Sequence, residues 1–214
     1  MAQKMAHPSH AIKGVYALTP DSLDTEDLLL RARQALKGGV QVLQYRNKIA
    51  DPALRLAQAH ALRNLTQAFD AALIVNDDAQ FAAVVGADGV HLGAKDGSVS
   101  GARAILGSDK LIGVSCYNQL QLARDAVTAG ADYVAFGAFF SSTVKPDAVV
   151  ATLDLLSNAR SELGVPIVAI GGITAENGAA LVRAGADALA VISAVFDAAD
   201  IQLAVKNLNI LFRK

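Results

Sequence analysis

The chain has no tryptophan and a single cysteine, Cys116, among its 214 residues. One thiol can form neither an intrachain disulfide nor a thiolate metal cluster, and it gives no sign of an oxidising compartment. An excess of one charge is also missing: 19 Lys and Arg against 20 Asp and Glu leave a net charge of −1. The cations are scattered, which removes the basic patch expected of a nucleic-acid binder. Long apolar runs are absent as well. The longest, Ala188 to Phe196 with one serine inside it, falls far short of the ~18 residues of a membrane-spanning helix. Met1 to Lys13 contains no apolar core of the kind a secretion signal needs. Residues 1–12 are therefore expected to be a flexible extension, and residues 13–214 one domain of a cytoplasmic protein.

What is present is small and apolar. Hydrophobic residues make up 53% of the chain while aromatics make up only 5%, a mix suited to close packing of helices on a sheet. A repeat runs through it. Gly86-Ala87-Asp88-Gly89-Val90 recurs as Gly130-Ala131-Asp132-Tyr133-Val134 and as Gly185-Ala186-Asp187-Ala188-Leu189, with a weaker copy at Gly38-Gly39-Val40-Gln41-Val42. Each copy closes a helix-like segment and opens a strand-like one, as a left-handed glycine cap followed by a buried strand would. The spacing between copies accommodates two βα units, so four copies make eight.

Strands are expected at Val15–Thr19, Val40–Arg46, Leu73–Asn76, Gly89–Gly93, Leu111–Cys116, Tyr133–Gly137, Ile167–Ile170 and Ala188–Ser193. Helical patterns lie between them, for instance at Ala53–Phe69, Leu120–Ala129 and Glu176–Ala184. This alternation predicts an α/β fold with a parallel sheet. Eight strands favour a single (β/α)8 TIM barrel over an open doubly wound sheet. In such a barrel the active site lies at the C-terminal ends of the strands, and polar residues do gather there.

The second strand ends Gln44-Tyr45-Arg46-Asn47-Lys48, with Gln44, Arg46 and Lys48 on one face. Two cations and an amide form an anion clamp, although a solvated loop would read the same. The third strand ends Asn76-Asp77-Asp78. One aspartate is expected to cap the next helix, leaving the other for Mg²⁺, which takes one or two carboxylates together with substrate phosphates. Asp96, after the fourth strand, is a second carboxylate, unless Asp96-Gly97 is merely a turn. His91 reads as a hydrogen-bonded wall residue, Cys116 as a packed thiol, and Ser115 as pointing to the mouth. Gly171-Gly172 and the end of strand eight, Ile192-Ser193, suit a phosphate held by backbone N–H groups. The hydroxyl-rich stretch Ser141 to Pro146 reads as a substrate-gripping loop. Two anion sites with carboxylates between them point to an enzyme joining or parting two phosphorylated small molecules.

Gln44-x-Arg46-x-Lys48, Asn76-Asp77-Asp78, His91-Leu92-Gly93-x-x-Asp96, Gly113-Val114-Ser115 and Ile170-Gly171-Gly172-Ile173-Thr174 occur in one order. With these motifs in register the chain resembles the thiamine phosphate synthase family from Lys13 nearly to its end. The resemblance implies a transferase of thiamine biosynthesis. It would couple hydroxymethylpyrimidine diphosphate to a thiazole phosphate, usually carboxylated, giving thiamine phosphate and diphosphate, with CO₂ from the carboxylated substrate. It implies Mg²⁺ on Asp77 and Asp96, and diphosphate gripped by Arg46, Lys48, Asn76, Ser115 and Lys145. Of these, Arg46, Lys48, Ser115 and Lys145 would be the catalytic set. Gln44 would position the pyrimidine, and Gly172, Ile192, Ser193 and Ser142 would take the thiazole phosphate. The partners implied are two phosphorylated heterocycles, with neither nucleic acid nor membrane, and a homodimer is left open. One departure stands out: the family's Thr-x-Thr-Lys reads Ser142-Thr143-Val144-Lys145 here. Two rivals are a thiazole tautomerase and a catalytically silent thiazole-phosphate binder. The first expects a histidine just after the serine of strand five, where this chain has Cys116-Tyr117. The second has no use for two carboxylates.

Overall fold

The computed structural model describes residues 12–140 and 150–213. Eight parallel strands form the sheet: β1 Gly14–Leu18, β2 Val42–Tyr45, β3 Ala72–Asn76, β4 Gly89–Leu92, β5 Leu111–Tyr117, β6 Tyr133–Phe136, β7 Ile167–Ile170 and β8 Ala188–Val191. They close in sequence order, with β8 returning to β1 in the register Val15 to Leu189 and Tyr16 to Ala190. The helices are α1 Thr25–Gly38, α2 Pro52–Ala68, α3 Ala79–Val85, α4 Val99–Leu106, α5 Leu120–Thr128, α6 Leu153–Glu162, α7 Gly178–Arg183, α8 Ser193–Phe196 and α9 Ile201–Ile210. The chain is thus a single (β/α)8 TIM barrel, with all eight expected strands in place. Among the described residues, no helix is long and apolar enough to cross a membrane.

Strand parity divides the core into two. Val15, Ala17, Leu43, Leu73, Val75, Val90, Ile112 and Val134 face outward into the layer beneath the helices. Tyr16, Leu18, Val42, Ile74, Tyr133, Val168 and Ala190 face inward and fill the lumen. Ile12 joins this inner group and is 4% exposed, so the packed body includes it. The rest of the expected extension lies outside the described residues.

Helix starts are set by short polar side chains. Asp24, Asp51, Asp78, Ser98, Thr152 and Asp200 each accept a backbone N–H from the first turn of the helix that follows, a contact worth about 1 kcal/mol. The last strand is shorter than expected. It stops at Val191; Ile192 leaves extended geometry at φ −120°, ψ −83°, and Ser193 opens the four-residue α8.

The Gly-Ala-Asp repeat has a single structural meaning at each of its three full copies. Its glycines, Gly86, Gly130 and Gly185, all have positive φ. Its aspartates stand just before β4, β6 and β8 and reach back to the preceding strand. Asp88 accepts from Leu73 N (2.8 Å), Asp132 from Ile112 N (2.7 Å) and Asp187 from Ile167 N (2.9 Å). Each also holds an arginine from an earlier helix: Arg63 at 2.5 Å, Arg103 at 2.6 Å and Arg160 at 3.2 Å. These clamps tie the N-terminal ends of the strands together and leave the opposite end free for chemistry.

Candidate active site

At the C-terminal ends of β2 and β3, Arg46, Lys48, Asn76 and Asp77 line one cleft of about 430 Å³. The parity expected of this segment holds. Tyr45 and Asn47 turn outward, where both hydrogen-bond Gln58 on α2, at 2.9 Å each. Gln44 turns into the lumen, is 3% exposed, and donates to the Tyr16 hydroxyl at 2.8 Å. Arg46 meets Asp21 at 3.1 Å, and the same carboxylate accepts the Lys48 backbone N–H at 2.7 Å. Asp21 is not among the residues that the sequence motifs single out, and its only sequence signal is its place two residues past Thr19 at a strand end. It orients the clamp.

The two aspartates after β3 divide their duties. Asp78 caps α3, accepting from Phe81 N at 2.8 Å, and lies 3.7 Å from Arg55. Asp77 is left for the cleft. Its backbone is held at φ 68° in the left-handed region, and its N–H is bound to the His91 carbonyl at 2.8 Å. Such a conformation is costly for a residue with a side chain and concentrates at functional sites. Tyr117, exposed at the end of β5, has a similar φ of 53°.

Burial first, and the apposed Asp96 carboxylate second, push the Asp77 pKa upward, while Lys48 at 4.0 Å pulls the other way. Asp96 itself is steadied by the Gly93 N–H at 2.8 Å. Among the described residues there is no group of three or more His, Cys, Asp or Glu side chains able to hold a metal unaided. Two facing carboxylates, one of them made reluctant to ionise by burial and then by the other, are a poor protein cage. They suit a hard cation whose remaining ligands arrive with a phosphorylated substrate.

Ser115 on β5 hydrogen-bonds His91 Nε2 at 2.9 Å, and His91 Nδ1 meets the Tyr133 hydroxyl at 3.2 Å. Burial lowers the His91 pKa to about 4, against an opposing pull from Asp96, so the imidazole is neutral near pH 7. His91 is therefore a hydrogen-bonded wall residue, as read from its apolar strand. Cys116 is a buried free thiol whose pKa burial raises to about 12.

Gly172, Ile192 and Ser193 sit beyond the ends of β7 and β8, at the same mouth but outside the cleft lined by Arg46, Lys48, Asn76 and Asp77. Gly171 and Gly172 have φ of 107° and 60°. A Cβ on Gly171 would come within 2.4 Å of the Ala138 Cβ, so this glycine also serves packing against the strand-six loop. Asn177, not singled out in the sequence, ties the loop by donating to the Gly172 carbonyl (2.9 Å) and accepting from Thr174 N (2.8 Å). As in any helix, the first backbone N–H groups of α8 have no intrahelical partner. Ser142, Thr143, Val144 and Lys145 lie outside the described residues.

A closed parallel barrel with a charged cleft at the C-terminal ends of its strands is the layout of a TIM-barrel enzyme. Comparison with known proteins narrows this. Residues 15–195 match the family model described as thiamine monophosphate synthase, and the chain belongs to that family of transferases in thiamine biosynthesis. It is 53% identical over 206 residues to a thiamine-phosphate synthase of Methylobacillus flagellatus, covering 96% of this chain and 98% of the relative. It is 55% identical over 199 residues to one of Thiobacillus denitrificans, covering 93% and 94%. Among solved structures it resembles thiamine phosphate pyrophosphorylase from Pyrococcus furiosus, with a TM-score of 0.82, 34% identity, and coverage of 92% and 94%. A 3-hexulose-6-phosphate synthase, 19% identical with a TM-score of 0.69, shares the fold.

Proposed function

We propose that this barrel is a thiamine-phosphate synthase joining hydroxymethylpyrimidine diphosphate to a thiazole phosphate or its carboxylated form. The observation that carries this reading is the cleft itself, where Arg46, Lys48 and Asn76 stand beside the crowded Asp77 and Asp96. Asp77 and Asp96 would hold Mg²⁺, which would supply neutralisation of the charge that accumulates on a departing diphosphate.

The protein's own groups do the rest. Arg46 is a planar donor that binds phosphate oxygens bidentately, and its Asp21 partner at 3.1 Å holds it in place until the anion competes for it. Lys48 exchanges its loose 4.0 Å contact with Asp77 for diphosphate oxygens. Ser115 and Asn76 donate to the same group, and Lys145 is proposed to grip it as well. Gln44 positions the pyrimidine, whose amino group feeds electrons into the ring and stabilises a positive methylene carbon as diphosphate leaves. Gly172 and the backbone of Ile192 and Ser193 hold the thiazole phosphate, with Ser142 nearby, so that the thiazole nitrogen meets that carbon. Fixing two substrates in this way supplies up to ~7–11 kcal/mol of barrier reduction. No protein nucleophile is required.

The test is thiamine phosphate formation by purified protein given both substrates, with Mg²⁺ and then with EDTA. Product that appears with Mg²⁺ and vanishes with EDTA is expected. No product, alongside tight thiazole phosphate binding, would instead favour a silent binding barrel.

A further inference from the structure

The lumen holds a hydrogen-bonded chain longer than any wall residue needs. Gln44 Nε2 lies 2.8 Å from the Tyr16 hydroxyl, which lies 2.9 Å from the Tyr133 hydroxyl. Tyr133 continues to His91 Nδ1 at 3.2 Å, and His91 Nε2 to Ser115 Oγ at 2.9 Å. The chain starts on β2 and ends on β5, passing through β1, β6 and β4. Space is cleared for it: a Cβ on Gly113 would fall 2.0 Å from Tyr133 Cζ.

Proton bookkeeping in this chain permits one direction. Gln44 Nε2 can only donate, so the Tyr16 oxygen accepts and its own O–H goes to Tyr133. The Tyr133 O–H then goes to His91 Nδ1, which must be the bare nitrogen of a neutral ring. Nε2–H therefore donates to Ser115 Oγ, and the serine proton is left to point away from the chain. In the reverse direction the Tyr16 O–H would face the amide –NH₂, and a buried donor without an acceptor is costly. Reversal requires an acceptor at residue 44.

We infer that Tyr16, Tyr133 and His91 are positioning residues forming a directional relay. It makes the donor role of Ser115 depend on which amide atom Gln44 turns inward. With Nε2 inward, Gln44 keeps its carbonyl for the mouth while Ser115 offers a proton there. One arrangement thus presents an acceptor to an amino-bearing ring and a donor to an anion. That pairing of ends with ligands rests on the synthase reading above; the relay does not.

The test reads the His91 tautomer by ¹⁵N NMR on the full chain without ligand, the signal assigned by its loss in His91→Asn. Wild type is expected to carry the proton on Nε2. Gln44→Glu, at about pH 9 where even a buried glutamate ionises, places an acceptor at position 44 and should move the proton to Nδ1. Gln44→Met should leave it on Nε2. In a Tyr133→Phe background, Gln44→Glu should no longer alter the tautomer. An Nδ1–H wild type, or a folded Gln44→Glu protein whose tautomer is unchanged, overturns the relay. The first of these outcomes stands even if the glutamate variant fails to fold. A second arm measures binding of inorganic diphosphate with Mg²⁺. Gln44→Glu should weaken it about fivefold more with Tyr133 present than in the Tyr133→Phe background, the scale of coupling between linked residues. A tautomer switch without that excess loss upholds the relay and removes Ser115 from the proposed diphosphate grip.

Discussion

The two ends of the barrel treat charge in opposite ways. At the N-terminal end, Asp88, Asp132 and Asp187 each have an arginine and a strand N–H within hydrogen-bonding distance. At the C-terminal end, Asp77 faces another carboxylate, offset by a lysine at 4.0 Å and a hydrogen bond from Asn76, with no arginine paired to it. The first arrangement is complete without any ligand and can only stabilise. The second is incomplete by construction and acquires its missing partners from what binds. For these aspartates, the presence or absence of a paired arginine separates those that hold the barrel from the one that faces the cleft.

The largest effect should come from removing a carboxylate at the mouth. Asp77→Ala or Asp96→Ala is expected to lower turnover by roughly 10²–10³-fold, because cation-assisted charge neutralisation is worth several kcal/mol. Circular dichroism should show an unchanged fold. Unaltered turnover in either variant would remove that residue from the metal assignment. Lys48→Ala should weaken pyrimidine diphosphate binding more than thiazole phosphate binding, and equal losses would contradict two separate anion sites.

The opposite outcome is expected below. Asp88→Ala or Asp132→Ala takes the carboxylate from a partly buried arginine and from a strand N–H; the Arg63 and Arg103 side chains are 18% and 27% exposed. Arg103 keeps the Lys110 and Gly130 carbonyls as partners, so the Asp88 variant should lose more. Breaking such a pair costs about 3 kcal/mol. For a domain of this size that lowers Tm by roughly 6–12 °C, while turnover per folded molecule is retained. A loss of activity without a loss of stability would collapse the division between the two ends. Asp187→Ala should cost less, about 1 kcal/mol or ~2–4 °C, because its Arg160 partner is 54% exposed.

The sequence made the frame legible because the frame is periodic. The repeated Gly-Ala-Asp marked strand starts, and β7 was bounded to the residue. Asp77 could be separated from Asp78 only in three dimensions, since either can cap a helix that begins at Ala79. The arginine clamps went unread because their partners lie 25 to 29 residues upstream, a separation that local patterning does not register. The repeated aspartate nevertheless hinted that something fixed awaited it. The lumen relay was hidden for another reason. Tyr16 and Tyr133 sit at inward positions of strands that otherwise read as apolar, and only barrel closure brings β1 and β6 across from one another. The sequence pattern overextends strand eight because Ile192 and Ser193 are as apolar or small as the strand, while the break lies in the backbone angles of Ile192.

The smallest and most diagnostic contrast is in the pH dependence of stability. Burial and Asp96 raise the Asp77 pKa in the folded state, so the unfolded chain gives up this proton first. Stability from this group is full below the unfolded value, 3.8, and is lost as pH rises through the higher folded value. His91 acts with the opposite sign. Its pKa falls from 6.5 to about 4 on folding, so its contribution is present above 6.5 and is lost as pH drops toward 4. Asp77→Asn should therefore remove a decline in Tm on the alkaline side of about pH 4 and raise Tm slightly near neutrality, a small effect because the side chain is 39% exposed and solvent screens it. Added Mg²⁺ should raise the Tm of wild type and not that of the variant. At the barrel floor Asp132→Asn should lower Tm under the same conditions, since its carboxylate is paired rather than crowded. Equal signs in the two variants would mean that charge at the mouth is held as securely as charge at the floor, and the distinction between the two ends would then fail where it is most finely drawn.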